Sequence, residues 1–245
     1  MSKADLHLHT HHSDGLLSPQ ELIRAALSRN LIAVSITDHD SMAAYASLGA
    51  ADGKGDPPIQ LVPGVEFTSR HDGRDVHLLA YGLDPVRPEV VRMLAAQKKA
   101  RWDRVGLILE RLRSKGIQLT TDEVLGEVAH GNPGRPHIAR AMVRNRMVAD
   151  EKEAFRKFLK DEHLGSLPVS YPDAVRLTGW IREQGGVSSL AHPGLQVTLE
   201  TVETLVSHGL DGVESIHPSH PYHLQKTYLD LAARRSLLVT GGSDF

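Results

Sequence analysis

The sequence predicts an α/β protein, a nearly closed barrel of short strands and helices interrupted by an all-helical block. Two observations predict this. Short aliphatic and β-branched runs alternate with helical patterns over residues 1–84 and again over 166–245, whereas 85–165 carries helical periodicity without a strand. The expected organisation is a first barrel part at 1–84, a helical insertion at 85–165 and a second barrel part at 166–245.

In chain order, Ala4 to Leu8 reads as the first strand. Ser18 then caps a helix, with Pro19 at its first position and Glu21 completing a capping box, before Leu22, Ile23, Ala26 and Leu27 recur at helical spacing. Leu31 to Ile36 is an unbroken aliphatic run, as expected of a strand buried on both faces. A short helix from Ser41 to Ala51 leads through a turn at Gly53 to Pro58 into strands near 61–66 and 76–81, expected to lie parallel to the first two. Residues 86–115 form a long amphipathic helix, followed by segments around 121–129, 135–147 and 150–161, with a break at Gly131-Asn132-Pro133-Gly134. Helices at 171–184, 198–208 and 221–234 then alternate with strands near 187–191, 212–216 and 237–240, which brings the strands to seven.

Composition narrows the chemistry. The chain has 245 residues with 28 Lys and Arg against 30 Asp and Glu, a net charge of −2, so a strong positive field for long nucleic acid or a membrane surface is not expected. No apolar run is long enough to span a bilayer, and the first residues lack a signal-peptide core, which predicts a cytoplasmic protein. The absence of Cys excludes thiolate metal sites and Cys nucleophiles. Against 4 Phe, 5 Tyr and 2 Trp there are 15 His, an excess of the commonest metal ligand.

These histidines and the carboxylates are not scattered. His7 and His9 end the first strand with Asp14 in the loop after it, and His39 follows the second strand between Asp38 and Asp40. Glu66 ends the third, His192 follows the fifth, Glu214 and His217 the sixth, and Asp244 the seventh. All occupy the rim on which (β/α) barrels build active sites; His77, early in the fourth strand, is the exception. In an extended strand, i and i+2 share a face, so His7 and His9 are directed into the mouth together. Imidazoles and carboxylates without sulfur suit Zn, Mn or Fe, and a bridging carboxylate such as Glu66 would join two ions into a clamp on a phosphoryl group. The chemistry this pattern points to is metal-assisted phosphoester hydrolysis.

The motifs Asp5-Leu6-His7-Leu8-His9-Thr10, Ser13-Asp14-Gly15, Thr37-Asp38-His39-Asp40, Gly64-Val65-Glu66, Ala191-His192-Pro193 and Gly242-Ser243-Asp244-Phe245 resemble those of the polymerase and histidinol phosphatase (PHP) family, over nearly the whole chain and in the family's order. The resemblance implies a distorted (β/α)7 barrel with two or three divalent ions (Mn, Fe or Zn). It assigns His7, His9, Glu66 and Asp244 to one ion, Asp14, His39 and His192 to a second, and Glu66 and His77 to a third, shared with a His that normally follows the final Ser-Asp-Phe. This chain stops at Phe245, so a truncated C-terminus and an incomplete third site are expected. The reacting group implied is a metal-bound water, with His39, Glu66 and Asp244 holding the activating ions.

Within the family, Gly134-Arg135-Pro136-His137-Ile138-Ala139-Arg140 and the segment from Gly212-Val213-Glu214 to Ser219-His220 resemble phosphoesterases that remove the 3′-phosphate of nucleoside 3′,5′-bisphosphates and trim short RNA from its 5′ end. By that resemblance Arg135, His137 and His220 face the substrate, the helical insertion caps the metals, and the partner is a small phosphorylated nucleotide or short oligoribonucleotide. No protein partner is expected. Arg135 offers a planar fork for phosphate beside a helix start. Histidinol-phosphate hydrolysis and an amidohydrolase-type barrel, which also begins with His-x-His but commonly uses a bridging Lys that no strand here supplies, are the alternatives within the enzyme class, and a non-catalytic domain stabilised by metal the alternative outside it. Asp38 and Asp40 are expected to orient His39 or cap the next helix. His217 is read as structural, His11, His12, His71, His130, His163, His208 and His223 as solvent-facing, and the basic run Lys98 to Arg113 as the wet face of a helix.

Overall fold

The computed structural model describes residues 3–49, 59–128, 131–165, 167–194 and 197–245. Strand β1 (Lys3–Leu8) pairs in parallel with β2 (Leu31–Ile36), and β2 with the two-residue β3 (Gln60–Leu61). Helix α1 (Pro19–Ser28) connects β1 to β2; its capping box forms as expected, the Glu21 carboxylate accepting from the Ser18 N–H at 2.8 Å. Helix α2 (Ala43–Gly49) follows β2. The end of the expected Ser41–Ala51 helix, the Gly53–Pro58 turn and His130 lie outside the described residues.

The second sheet runs β4 (Gly64–His71), β5 (Arg74–Tyr81), β6 (Val187–Leu190), β7 (Gly212–Ile216) and β8 (Leu238–Gly241). The expected parallel arrangement fails in its first half, because β4 and β5 form an antiparallel hairpin and β5 pairs antiparallel with β6. The cause is local. Asp72 and Gly73 form a two-residue loop with φ of 47° and 75°, the left-handed pair of a tight hairpin turn, and the chain doubles back before a helix can intervene.

Backbone bonds stitch the two sheets together at two seams. Beyond the end of β2, the Thr37 carbonyl accepts from Glu66 N–H at 3.1 Å and Asp40 N–H donates to the Glu66 carbonyl at 2.9 Å. Beyond β8, Asp244 N–H donates to the His7 carbonyl at 2.9 Å and His9 N–H to the Phe245 carbonyl at 2.8 Å. Gly242 is required at the second seam, where a Cβ would collide with the backbone of His7.

Helices α8 (Ala174–Glu183), α9 (Leu199–Ser207) and α10 (Tyr222–Arg235) cover the second sheet, burying Val65, Phe67, Leu78, Leu177, Ile181 and Val213 in one core. Each such side chain contributes roughly 2 kcal/mol by leaving water. Between β5 and β6 the described residues form no strand. Helices α3 (Pro88–Ser114), α4 (Thr121–Leu125), α5 (Arg135–Arg144), α6 (Glu151–Ala154), a π-helical turn (Phe155–Leu159) and α7 (Asp161–Leu164) pack around a separate apolar cluster that includes Ile108, Leu112, Ile138, Met142 and Leu159. Among the described residues no helix is long and apolar enough to cross a membrane.

Candidate metal centre

The strand ends carry the site. His7 lies on β1 and His9 one residue past it, and their Nε2 atoms meet at 3.1 Å, as the shared face of i and i+2 requires. Glu66, fully buried on β4, stands at the centre. Its Oε1 lies 2.8 Å from His77 Nδ1 and 2.9 Å from His192 Nε2, and its Oε2 lies 2.9 Å from His39 Nδ1, 3.3 Å from His9 Nε2 and 3.4 Å from His7 Nε2. Asp244 Oδ1 closes on His9 and His7 at 3.1 and 3.4 Å, and Asp14 lies 3.6 Å from His9 Nδ1 and 3.8 Å from His39 Nε2. The hairpin explains His77: in an antiparallel strand the early residues lie beside the later part of β4, so His77 pairs with Thr68 and reaches the same rim.

A second layer fixes the imidazoles. Glu214, buried on β7, accepts from His7 Nδ1 at 3.1 Å and from His192 N–H at 2.8 Å, leaving His7 Nε2 to face Glu66. Ser13 Oγ donates to Asp38 at 2.7 Å and lies 3.1 Å from His9 Nδ1, so it accepts from that ring and turns the Nε2 lone pair inward. Asp38 also takes Thr10 N–H and Oγ1–H at 2.6 Å each, pinning the loop after β1. Asp38 therefore serves His9 and not His39. Asp40 holds Thr68 N–H at 2.9 Å and Arg101 Nε at 2.5 Å. His39 is steadied from the helical block, where Asn132 Nδ2 donates to the His39 and Asp40 carbonyls at 3.0 and 2.8 Å. His192, Asp40 and Asp244 hold left-handed backbones, φ 23°, 52° and 52°, a local strain concentrated at the site.

Charge follows this geometry. Burial opposes ionisation of Glu66, yet His39, His77 and His7 outweigh it and hold the carboxyl well below its usual range. Burial likewise opposes protonation of His7, but Glu66 and Glu214 raise it to about 10. His9 and His192 are pushed up against burial by their carboxylate neighbours. Against burial, His39, His9 and Arg101 bring Asp14 down to about 2, and Asp244 is held below the carboxylate range chiefly by His217 and His9. His77 goes the other way, lowered by burial.

All eight residues expected to ligate metal, His7, His9, Asp14, His39, Glu66, His77, His192 and Asp244, fall into groups whose donor atoms lie within 4.8 Å of one another. The grouping differs from the expected one: Asp14 and His39 gather with His9, while His192 gathers with His7 and Asp244. Glu214 and His217, to which the resemblance assigns no ion, form a further group with His7, and His217 Nε2 lies 3.3 Å from Asp244 Oδ2. The signal for Glu214 was its place on a strand ending at the same rim.

Of the substrate residues, Arg135 lines the cavity beside His39 and His77. His137 and His220 are both 2% exposed, and neither ring is open to a ligand at both nitrogens. His137 Nδ1 accepts from Gly134 N–H at 3.0 Å, fixing the start of α5, and His220 accepts from Gly194 N–H at 3.1 Å while facing the Ser215 carbonyl at 3.2 Å. His12, expected in solvent, is buried with Nε2 3.2 Å from Ser47 Oγ, and Arg101, expected on a wet helix face, is buried against Asp40.

The donor set fits divalent cations. Glu66 Oε2 and His39 Nδ1 are buried without a hydrogen-bond partner although they converge on one another and on two further imidazole nitrogens, the arrangement that ligation by a cation explains and hydrogen bonding does not. Fold and site together define an α/β protein with clustered donors for divalent cations at its strand ends.

Residues 5–159 match the PHP domain family. The chain is 29% identical over 246 residues to the 5′-3′ exoribonuclease Rnm of Salmonella typhimurium, covering 98% of this chain and 84% of that protein. It is 30% identical over 253 residues to the 3′,5′-nucleoside bisphosphate phosphatase of Chromobacterium violaceum, covering 100% and 87%. A solved structure from Bifidobacterium adolescentis, assigned by inference as a metal-dependent phosphoesterase, superposes with a TM-score of 0.89 at 32% identity over 100% of this chain and 87% of that one. The chain belongs to the PHP domain family and is a metal-dependent hydrolase of phosphoric esters.

Proposed function

We propose that this enzyme removes the 3′-phosphate of nucleoside 3′,5′-bisphosphates and acts on short RNA from its 5′ end. One observation carries the reading. The cavity over the ligand cluster, lined by His9, Asp14, His39, Glu66, His77, His192 and Asp244, shares Asp14, His39 and His77 with a neighbouring cavity of about 160 Å³ whose walls include Arg101 and Arg135. A phosphate at the cluster therefore has Arg135 one cavity away, beyond the Asp40-paired Arg101, where the second phosphate of a bisphosphate would sit. The names of the two curated relatives support the same substrate class.

In this reading His7, His9, Asp14, His39, Glu66, His77, His192 and Asp244 hold two or three ions of Mn, Fe or Zn, and Glu214 orients His7. When bound, such ions supply charge neutralisation at the phosphoryl group and activation of water. Arg135 binds the second phosphate, whereas His137 and His220 position backbone: His137 sets the start of α5 on which Arg135 stands, and His220 holds the loop after His192. The two seams support one distorted (β/α)7 barrel, with the helical block at 85–165 as its cap.

The test is phosphate release by metal-loaded protein from adenosine 3′,5′-bisphosphate and from histidinol phosphate. The reading expects turnover of the first, leaving a 5′-monophosphate. Turnover of histidinol phosphate alone contradicts it.

A further inference from the structure

Beyond β7, residues 217–220 form an arch between the loop after β6 and the end of β8. The His217 carbonyl accepts from His220 N–H at 2.9 Å, which closes the arch on itself. On the β6 side, His220 Nε2 accepts from Gly194 N–H, and Tyr228 Oη donates to the Gly194 carbonyl at 2.7 Å. On the β8 side, Gly242 N–H donates to the Ile216 carbonyl at 3.1 Å, and a Cβ on Gly241 would lie 2.8 Å from that of Ile216, a closeness that only glycine permits. From α10, Gln225 Nε2 donates to the His220 carbonyl at 2.9 Å. The arch is thus fixed at both ends.

His217 is 7% exposed and reaches from this arch to Asp244. Ser219 N–H donates to its Nδ1 at 3.1 Å, and since a backbone N–H has nothing to accept with, Nδ1 carries the lone pair. The ring proton therefore sits on Nε2, which donates to Asp244 Oδ2 at 3.3 Å. The other oxygen of that carboxylate, Oδ1, is the one that closes on His9 and His7. The Asp244 side chain is 36% exposed on a left-handed backbone, so packing restrains its rotamers less than it restrains those of the fully buried Glu66.

We propose that His217 is a positioning residue for Asp244: by donating to Oδ2 it presents Oδ1 to an ion held together with His7. This inference rests on the ligand reading above and is independent of the substrate. The groups His9, Asp14, His39 and His39, Glu66, His77 contain neither His217 nor Asp244, so the effect belongs to one ion.

The test compares manganese binding, with free ion counted by electron paramagnetic resonance, in the parent, His217→Asn and His217→Gln. The asparagine amide reaches as far as Nδ1 and falls short of Asp244, whereas the glutamine amide reaches as far as Nε2 and restores the donor. The asparagine variant is expected to bind one ion about tenfold more weakly, with the number of ions at saturation unchanged, and the glutamine variant to stay within about threefold of the parent. Long-range proton–nitrogen spectra of the metal-free parent, which do not depend on either variant folding, are expected to show the His217 ring protonated at Nε2. Unchanged affinity in the asparagine variant overturns the proposal, as does a ring protonated at Nδ1. So does an ion missing at saturation from both variants, which would make His217 a ligand itself. A parent that takes up no manganese contradicts the ligand reading and the inference with it. If the expected binding pattern holds but the parent hydrolyses neither phosphate ester, the inference stands and the functional reading fails.

Discussion

The strand rim and the helical block solve different problems with different residues. The rim buries His7, Glu66 and Glu214 completely and accepts left-handed backbones at His192 and Asp244, while the sheet beneath it supplies the apolar core that holds these groups in place. The helical block has an apolar core of its own and reaches the site through polar side chains, among them Arg101, Asn132 and Arg135. Under the proposed function, the difference assigns metal ligation to the sheet and substrate handling to the insertion. Changes in the two regions should therefore separate in what they disturb.

The largest effect is expected at the rim. His39→Ala should lower turnover by three orders of magnitude or more, about 4 kcal/mol of barrier, while circular dichroism stays native, since His39 is partly exposed and no strand depends on its ring. Retained activity would break the comparison. Next comes the joint between the regions. Arg101→Met leaves Asp40 buried without its cation and should cost about 4 kcal/mol in denaturant unfolding, with Asp40→Asn in the same chain recovering much of it. A small cost that the second change does not alter would show that the block docks by other contacts.

His137 offers a pH test. Burial, with Arg140 and Arg101, lowers it to about 4 from an ordinary 6.5. A histidine depressed in the folded state favours folding fully above 6.5, and that contribution is lost as pH falls towards 4. The parent should therefore lose up to about 3 kcal/mol relative to His137→Asn between these values, at about 1.4 kcal/mol per unit. Parallel stability curves for the two proteins would refute the assignment. The smallest effect is expected at Arg135→Ala, about 2 kcal/mol in kcat/KM for the bisphosphate, with metal content unchanged. Lost metal would move Arg135 from the substrate to the ligand frame.

Much of this was legible in the sequence, for physical reasons. Alternation places His7 and His9 on one face, and a strand end fixes where His39, His192 and Asp244 emerge, so their gathering at one rim is legible from spacing, whereas their assignment to ions comes from the resemblance. The hairpin was harder: Asp72-Gly73 is a two-residue turn signal, but the aliphatic runs on either side suggested strands joined in parallel. Contacts made across long separations left no periodic trace. Glu214 to His7 spans 207 residues and Arg101 to Asp40 spans 61, and both pairings follow only from the closure of the sheets and the docking of α3. The resemblance has His137 and His220 facing the substrate, yet both rings accept from backbone N–H groups beside them.

The central claim is that residues from distant parts of the chain converge on Glu66 to hold metal. Its most direct test is the metal content of purified protein after manganese loading and gel filtration, measured by mass spectrometry for the parent and for Glu66→Gln. The account predicts more than one ion per chain in the parent and loss of ions in the variant with its fold intact. A parent that retains none, or a variant that retains as many as the parent, would contradict it.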